Sequence, residues 1–206
     1  MKGDIKLLSA VILAAGEAKR MGKLKQLLPW GNSTILETVI NNLLRCNNID
    51  EQIRVVIGAR ADRINKVLQK WSDPRLQVVI NHNYQVGMLS SVRCGINNLP
   101  QSTEYILFTL GDKPLITTKT FDKIIHILME KRPEILVPVY KEQRGHPVII
   151  SSNLLGEVRS LTGSGGLRGL IKKYPEKVYR HPVMAREIII DIDYYREYKK
   201  YRDELL

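Results

Sequence analysis

The sequence predicts an α/β fold in which a mostly parallel sheet lies between two layers of helices, a three-layer αβα sandwich. Apolar segments of strand character alternate with segments whose apolar residues recur at helical spacing, along most of the 206 residues. Several of the apolar segments are continuous, which is typical of strands that are covered on both faces. A polar turn near residues 142–145 predicts one antiparallel strand in this sheet.

Strands and helices alternate through the first half of the chain. The first strand, residues 8–15, is a continuous apolar segment that ends at Gly16. The first helix follows the polar segment 32–34, whose side chains are suited to capping, and its apolar residues recur at helical spacing over 35–44. Further strands are predicted at 53–57 and 77–80, and further helices at 64–71 and 90–99.

The second half continues the alternation until a hairpin interrupts it. Residues 105–110 predict a strand, and residues 117–130 predict an amphipathic helix with its apolar side chains on one side. Residues 135–139 and 147–150 predict two strands, which the polar turn KEQRG joins in antiparallel orientation. Short helices at 153–158 and 166–174, a strand at 187–190 that ends at Asp191 and a polar terminal helix complete the prediction.

The composition, 44% hydrophobic and 26% charged, is that of an ordinary soluble globular protein. The chain has no linker-like, repetitive or low-complexity segment, so we expect a single domain over residues 1–206. Its apolar segments are too short to cross a bilayer and MKGDIK is unlike a signal peptide, so we expect a cytoplasmic protein without a membrane partner. Cys46 and Cys94 are expected to be free thiols, and the scattered histidines do not predict a zinc site.

The formal net charge of +11 favours an anionic partner, either nucleic acid or a phosphorylated small molecule. The basic residues are spread along the chain, with local density at 19–25 and near the C-terminus. No RNP-like aromatic motif, zinc-finger spacing or long basic tail accompanies them. Charge alone therefore does not select nucleic acid as the partner, and a basic nucleic-acid-binding protein remains the rival from another functional class.

The segment VILAAGEAKRMGKLKQLLPWG, residues 11–31, places a glycine-rich basic loop directly after the first strand. Loops of this kind commonly hold phosphate, but two well-known versions do not fit. The nucleoside-triphosphatase loop fails because five residues separate Gly16 from Gly22 and Leu24 stands at the position of the magnesium-binding hydroxyl. The dinucleotide-binding fingerprint fails because Ala18 occupies the position of its second glycine.

The residues of this loop are nevertheless suited to a phosphorylated ligand. Ala14, Ala15 and Gly16 are small, so a ligand can approach the backbone and its N–H groups. Arg20 can hold phosphate oxygens with its guanidinium, and Lys25 can add a point charge. Both suit a triphosphate that loses pyrophosphate, because the developing negative charge must be neutralised. The alternative interpretation is a solvated basic loop with incidental glycines.

The full pattern L-A-A-G-x-x-x-R-M-G-x-x-K-Q-L-L-P-x-x-G, residues 13–31, resembles the nucleotidyltransferase family that includes molybdenum cofactor cytidylyltransferases and guanylyltransferases. Four further motifs are similar to segments of that family and occur in the family's order. They are G-M-x-x-S-x-x-x-G at 87–95, L-G-D-x-P at 110–114, G-H-P at 145–147 and D-I-D at 191–193. Each motif is weak alone, but together they span the chain from residue 13 to about residue 198.

The resemblance implies a magnesium ion held by Asp112 and Asp193. Asp112 follows a predicted strand, where a carboxylate is well placed to share Mg²⁺ with substrate phosphate oxygens. Asp193 follows the last predicted strand, and the two acids converge if both lie at one edge of the sheet; Asp191 is the less favoured ligand. The alternatives are a simple turn at Asp112 and helix capping by the later acids.

The resemblance also implies two groups of substrate contacts. Ser90 and Ser91 begin a predicted helix, so nucleotide contact and plain capping are both open for them. His146 is implied as a polar contact to the acceptor, and it need not act as a base because the attacking phosphate is already anionic. The implied nucleotide-binding residues are Leu13, Ala14, Ala15, Gly16, Arg20, Lys25, Ser90, Ser91 and Gly111, and the implied acceptor-binding residues are Gly145, His146, Pro147 and Arg168.

Four positions depart from the family's pattern. Ser164 replaces an aspartate in the G-D-x-G-x-R loop, so the acidic role of that position is missing. Tyr194-Tyr195 stands where Thr-Pro is common after the last acid, which loosens the helix start, and Ala18 replaces a small hydroxyl residue. These departures keep open a non-catalytic cofactor chaperone.

We therefore predict a Rossmann-like, Mg²⁺-dependent nucleotidyltransferase whose catalytic residues are Lys25, Arg20 and Asp112. A phosphomonoester oxygen of the acceptor attacks the α-phosphorus of a nucleoside triphosphate, and positioning and charge neutralisation supply most of the catalysis. L-A-A-G with K-Q-L-L-P resembles the cytidylyltransferase branch, which implies CTP as donor, a phosphorylated pterin as acceptor and a molybdenum hydroxylase as recipient of the cofactor. GTP as donor and a sugar- or polyol-phosphate as acceptor are the alternatives.

Overall fold

The structure is a computed structural model that describes residues 7–18, 21–163 and 165–203. Its strands are β1 (Leu8–Ala14), β2 (Pro29–Trp30), β3 (Ser33–Thr34), β4 (Ile53–Ile57), β5 (Leu76–Ile80), β6 (Tyr105–Leu110), β7 (Ile135–Tyr140), β8 (Gln143–Arg144), β9 (Val148–Ser151) and β10 (Val178–Pro182). Its α-helices are α1 (Ile35–Leu44), α2 (Ala61–Leu68), α3 (Met88–Ile96), α4 (Thr118–Lys131), α5 (Leu155–Ser160), α6 (Arg168–Lys173) and α7 (Tyr195–Asp203). Among the described residues, no helix has the length and apolar character that crossing a bilayer requires.

The central sheet has eight strands, in the order β10–β7–β9–β6–β1–β4–β5, with β8 paired to β7. β1 is parallel to its neighbours β4 and β6, β5 is parallel to β4, and β10 is parallel to β7. β9 lies between β6 and β7 and is antiparallel to both. The predicted sheet, mostly parallel with one antiparallel strand inserted, is therefore confirmed. β2 and β3 form a separate small hairpin.

Strand β1 shows how helices cover both faces of the sheet. Leu8, Ala10 and Ile12 pack into a core with side chains from α1, α2 and α4. Val11 points to the opposite face and packs into a second core with side chains from α3, α5 and α6. Because successive side chains of a strand point to opposite faces, burial on both faces requires a continuous apolar sequence. The three-layer architecture is thus confirmed.

The structure differs from the prediction at the C-terminal part of the sheet. The predicted strand at 187–190 is wrong, because Arg186–Ile189 forms a 3₁₀ helix in which Ile188 is fully buried. The strand at this edge of the sheet is β10, which pairs with β7 and was not predicted. β10 has the sequence VYRHP and is only partly buried, so the apolar continuity that marks the central strands is missing from it.

The carboxyl ends of β1 and β6 create the edge of the sheet where the polar motifs meet. These two strands are neighbours, and Leu13 is paired with Leu110 in their register. The loop after β1 and the turn after β6 therefore begin side by side, and the N–H of Gly111 donates to the carbonyl of Leu13 at 2.9 Å. In parallel sheets, ligands bind beyond the carboxyl ends of the strands.

Candidate active site

A cavity of about 280 Å³ opens beyond the carboxyl ends of β1 and β6. Its wall combines the loop after β1, the turn after β6 and the start of α3. Eight residues singled out from the sequence line this cavity: Leu13, Ala14, Ala15, Gly16, Lys25, Ser91, Gly111 and Asp112. Ala18, Gln26, Tyr84, Gly87, Met88 and Leu110 complete the lining.

Small residues allow the loop after β1 to pack against its neighbours. A Cβ atom at Gly111 would lie 2.8 Å from Cβ of Ala14, and one at Gly58 would lie 3.0 Å from Cβ of Ala15. Both separations are shorter than van der Waals contact, so larger residues would push the loop away from the adjacent strands. Residues 14–16 line the cavity, and their small side chains leave the backbone accessible to a ligand.

Gln26 fixes the conformation of this loop, although no role was predicted for it from the sequence. Its side chain is buried, and Nε2 donates to the carbonyl of Ala14 at 3.0 Å and to that of Gly16 at 2.9 Å. Oε1 of Gln26 is buried and has no hydrogen-bond partner among the described residues. Since Gln26 lies in a 3₁₀ helix ten residues beyond Gly16, this interaction depends on the return of the chain toward β1.

Lys25 joins two acids that are far apart in the sequence. Its Nζ lies 2.5 Å from Oδ2 of Asp112 and 2.9 Å from Oδ1 of Asp193. Burial disfavours the charged form of Lys25, but the two carboxylates outweigh this effect and raise its pKa above the usual value. Lys25 is therefore an ammonium ion held between two carboxylates at the rim of the cavity.

The same carboxylates have the chemistry of a divalent cation site. Oδ1 of Asp112 is buried and has no hydrogen-bond partner among the described residues, so it retains an unused acceptor beside a bound ammonium group. The described residues contain no cluster of three or more acidic, histidine or cysteine side chains suited to a metal. Asp112 and Asp193 can therefore supply only part of a coordination shell, as is usual where substrate phosphates and water complete that of Mg²⁺.

Asp191 is directed to a different lysine. Its Oδ1 lies 2.7 Å from Nζ of Lys113, whose side chain is 2% exposed. Lys113 stands at the variable position of the L-G-D-x-P motif, so no role was predicted for it. The two acids of the D-I-D motif thus pair with two different lysines, and it is Asp193 that lies with Asp112.

A second cavity, of about 620 Å³, adjoins the first. The two cavities share Leu13, Met88 and Leu110 as wall residues. Three of the predicted acceptor-binding residues line the second cavity: Gly145, His146 and Arg168. Pro147 follows His146 through a cis peptide bond and is buried beside the cavity without lining it.

His146 is an uncharged group in the second cavity. Burial, followed by the positive charge of Lys113, lowers its pKa to about 4. Its Nδ1 is buried and has no hydrogen-bond partner among the described residues. At neutral pH the imidazole can therefore offer polar contacts to a ligand without adding positive charge.

Residues 10–178 match the MobA-like NTP transferase domain. The chain belongs to this family. It is 29% identical over 187 residues to the molybdenum cofactor cytidylyltransferase of Escherichia coli (strain K12), with 90% of this chain and 91% of the relative covered. It is 29% identical over 184 residues to the nicotine blue oxidoreductase of Paenarthrobacter nicotinovorans, with 84% and 85% covered.

A solved structure shares the fold of this chain. The Mycobacterium sp. strain JC1 homologue of Mycobacterium tuberculosis Rv0371c superimposes with a TM-score of 0.81 at 30% identity, over 96% of each chain. The family resemblance drawn from the motifs is confirmed, and this MobA-like chain is a nucleotidyltransferase.

Some of the predicted residues of this MobA-like domain lie elsewhere. Ser90 does not line the first cavity, because its hydroxyl donates to the carbonyls of Asn83 at 2.9 Å and Gly87 at 2.8 Å. Ser91, the next residue of α3, points about a quarter turn away and lines the cavity. Asn81, which the sequence analysis missed, donates to both hydroxyls at 2.8 and 3.0 Å. The predictions for Arg20 and Ser164 fall outside the described residues.

Proposed function

We propose that this nucleotidyltransferase transfers a cytidylyl group from CTP to the phosphate of a phosphorylated pterin, with Mg²⁺ as the metal ion. The observation that carries the proposal is the position of Lys25 between Asp112 and Asp193, at the rim of a cavity that residues 14–16 also line. This arrangement provides a place for an anionic phosphate chain and for the cation that accompanies it. The similarity to a molybdenum cofactor cytidylyltransferase supports the choice of donor and acceptor.

The charges of the cluster suit a divalent cation. Two carboxylates and one ammonium group leave a net charge of −1, which a divalent ion converts to +1 beside the incoming triphosphate. Asp112 and Asp193 would hold this ion. When bound, Mg²⁺ neutralises phosphate charge and aids the departure of pyrophosphate.

The protein's own residues position and stabilise the reacting groups. An oxygen of the acceptor phosphate forms a bond to the α-phosphorus, the bond from that phosphorus to the bridging oxygen breaks, and pyrophosphate leaves with the electron pair. Lys25 provides a fixed positive charge near the phosphates, and Gln26 keeps the loop at Ala14–Gly16 in place. No proton transfer to a protein base is required, because the attacking phosphate oxygen is anionic. The dinucleotide product would then pass to a molybdenum hydroxylase.

Pyrophosphate release tests this function directly. We expect release to require both a nucleoside triphosphate and a phosphorylated pterin, and to be fastest with CTP in the presence of Mg²⁺. A thermal-shift comparison of the ribonucleoside triphosphates identifies the donor independently, because a ligand that binds only the native state raises the melting temperature. Faster release with GTP would show that GTP, and not CTP, is the donor. Absence of release with every triphosphate and acceptor would refute the proposed reaction.

The assay also distinguishes this function from the activity named for one relative. The nicotine blue oxidoreductase shares 29% identity with this chain over a similar length. An oxidoreductase function would be detected as oxidation of a reduced nicotinamide or flavin cofactor without any need for a triphosphate. We expect no such oxidation, and triphosphate-independent turnover would contradict the proposal.

A further inference from the structure

We infer that Lys113 is the phosphate anchor of the acceptor cavity and that Asp191 is its counter-ion. The inference rests on the proposed function for its biological meaning, since it names the part of the acceptor that the second cavity recognises. Its test is a binding measurement that does not need nucleotidyl transfer.

The turn after β6 serves both cavities with adjacent residues of opposite charge. Asp112 lines the first cavity and pairs with Lys25. Lys113 lines the second cavity instead. A positive group is thus placed one residue from the carboxylate that lies beside the proposed triphosphate, in the neighbouring cavity that shares a wall with it.

Lys113 is buried with fewer partners than its ammonium group can use. Its side chain is 2% exposed, and its Nζ contacts Oδ1 of Asp191 at 2.7 Å and the carbonyl of Ile188 at 3.4 Å. An ammonium group has three N–H donors, so one has no partner among the described residues. Asp191 is 56% exposed and therefore partly hydrated, which weakens its compensation for the burial of Lys113. A second anion in the cavity would complete the environment of Lys113.

The remainder of the second cavity fits a phosphomonoester that carries a flat, largely apolar group. Arg144 and Arg168 also line the cavity, so with Lys113 the cations outnumber the two acids, Glu142 and Asp191. His146 adds no charge at neutral pH. Apolar side chains such as Phe108 form much of the remaining wall, and about 620 Å³ accommodates a ligand of ring size.

Phenyl phosphate is the probe that tests this inference, with phenol as the uncharged control. We expect isothermal titration calorimetry to show binding of phenyl phosphate to the wild-type protein and to Lys25→Met, but roughly 10- to 100-fold weaker binding to Lys113→Met, as for the loss of a charged hydrogen bond. Lys119→Met is the matched control, because it removes one exposed lysine from another surface. Loss of binding in Lys25→Met with retention in Lys113→Met would overturn the inference.

The Asp191→Asn variant separates an anchor from a merely structural ion pair. If Lys113 binds the phosphate, Asp191→Asn removes a competing carboxylate and strengthens phenyl phosphate binding, the opposite of Lys113→Met. If the pair serves only the fold, both variants change binding in the same direction, and the inference is wrong. Lys113→Met is expected to fold, because methionine replaces a buried ammonium group with an apolar chain of similar length and leaves a half-exposed carboxylate. Double variant Lys113→Met/Asp191→Asn, which keeps the net charge, must also bind weakly if the anchor assignment holds.

The result is independent of catalysis. If phenyl phosphate binding depends on Lys113 but pyrophosphate release never occurs, the anion site is supported and the proposed reaction is refuted. If pyrophosphate release occurs but phenyl phosphate binding does not depend on Lys113, the proposed reaction is supported and the role of Lys113 as phosphate anchor is refuted.

Discussion

The two adjoining cavities differ in the balance of charge among the described side chains around them. Among the described residues at the rim of the first cavity, one ammonium group, that of Lys25, faces the two carboxylates of Asp112 and Asp193, so a further cation is favoured there. In the second, the cations Lys113, Arg144 and Arg168 outnumber the acids, so a further anion is favoured. A single turn, Gly111-Asp112-Lys113, contributes one charged residue to each cavity. One edge of the sheet can thus provide adjacent but separate sites for the proposed metal-bound triphosphate and the proposed anionic acceptor.

Removal of the Asp112 carboxylate should have the largest effect and abolish the cation preference of the first cavity. We expect Asp112→Asn to lower the rate of pyrophosphate release by roughly 1,000-fold, a loss similar to that of a principal transition-state stabilising group. The fold should persist, as judged by circular dichroism. Asp203→Asn, at an exposed position in α7, is the control for charge removal. Full turnover of Asp112→Asn would refute the assignment of this carboxylate to the metal ion.

Substitution of Lys25 should have the next largest effect. It also tests whether the ammonium group and Mg²⁺ compete for the same two carboxylates. We expect Lys25→Met to slow turnover by at least ~10-fold, because one charged contact to the transition state is lost. Without the ammonium group, Asp112 and Asp193 repel each other, so Mg²⁺ should raise the melting temperature of this variant more than that of the wild type. Equal magnesium shifts and unchanged kinetics would place Lys25 outside the site.

Gln26 tests whether the first cavity depends on a pre-formed loop. Gln26→Leu keeps the approximate shape of the side chain but removes both donors to the carbonyls of Ala14 and Gly16. Loss of the donor to the buried carbonyl of Ala14 should lower the free energy of unfolding by about 1–3 kcal/mol. We also expect the KM for the triphosphate to rise roughly 10-fold, because the loop at Ala14–Gly16 is less ordered without these two hydrogen bonds. Gln101→Leu, at an exposed site, provides the comparison; a triphosphate KM equal to wild type would show that the loop does not need this clamp.

His146 should have the smallest effect at neutral pH, because its contribution to stability is confined to acid pH. Its pKa in the folded protein, about 4, lies below the usual value of 6.5, so the unfolded chain binds its proton more readily. Stability should therefore fall as the pH decreases from 6.5 to about 4, by up to about 3 kcal/mol, with no contribution above pH 6.5.

Urea unfolding of the wild type and of His146→Asn at pH 4.5 and 7 measures this contribution. The variant should lose less stability than the wild type between these pH values, since other acid-sensitive groups are common to both proteins. A parallel loss in both proteins would contradict the low pKa of His146. The pH profiles of activity for the wild type and His146→Asn should likewise have the same shape near pH 6.5.

The first cavity was largely predictable because its parts follow directly from local sequence. Residues 8–15 and 105–110 were predicted as strands that end at Gly16 and Gly111, and the structure has β1 and β6 there. Asp193 and Asp112 lie on either side of Lys25, as expected of two acids at one edge of the sheet. The segment that precedes Asp193 is, however, a 3₁₀ helix and not the predicted strand. Gln26 was missed, since nothing near it in the sequence indicates which carbonyls it reaches.

The second cavity was only partly predictable because its wall comes from segments that are distant in the sequence. Gly145, His146 and Arg168 were found through the family resemblance, whereas Lys113 and Arg144 were not. The apolar residues at 188–190 suggested a strand, yet Ile188 is buried over Gly145, where a Cβ atom would lie 2.5 Å from Cγ1 of the isoleucine. An isoleucine that fills a space beside a glycine has the same sequence signal as one in a strand.

The sequence by itself determined the order of strands and helices, the loop after β1 and the acids at the strand ends, because each depends on the spacing of residues close to one another in the chain. Only the tertiary structure decided that β10 takes the edge position, that Asp191 and Asp193 pair with different lysines, and that Asp112 and Lys113 face different cavities. These choices depend on which distant groups are available to bury a side chain or neutralise its charge. The pattern of residues along the chain does not contain that information.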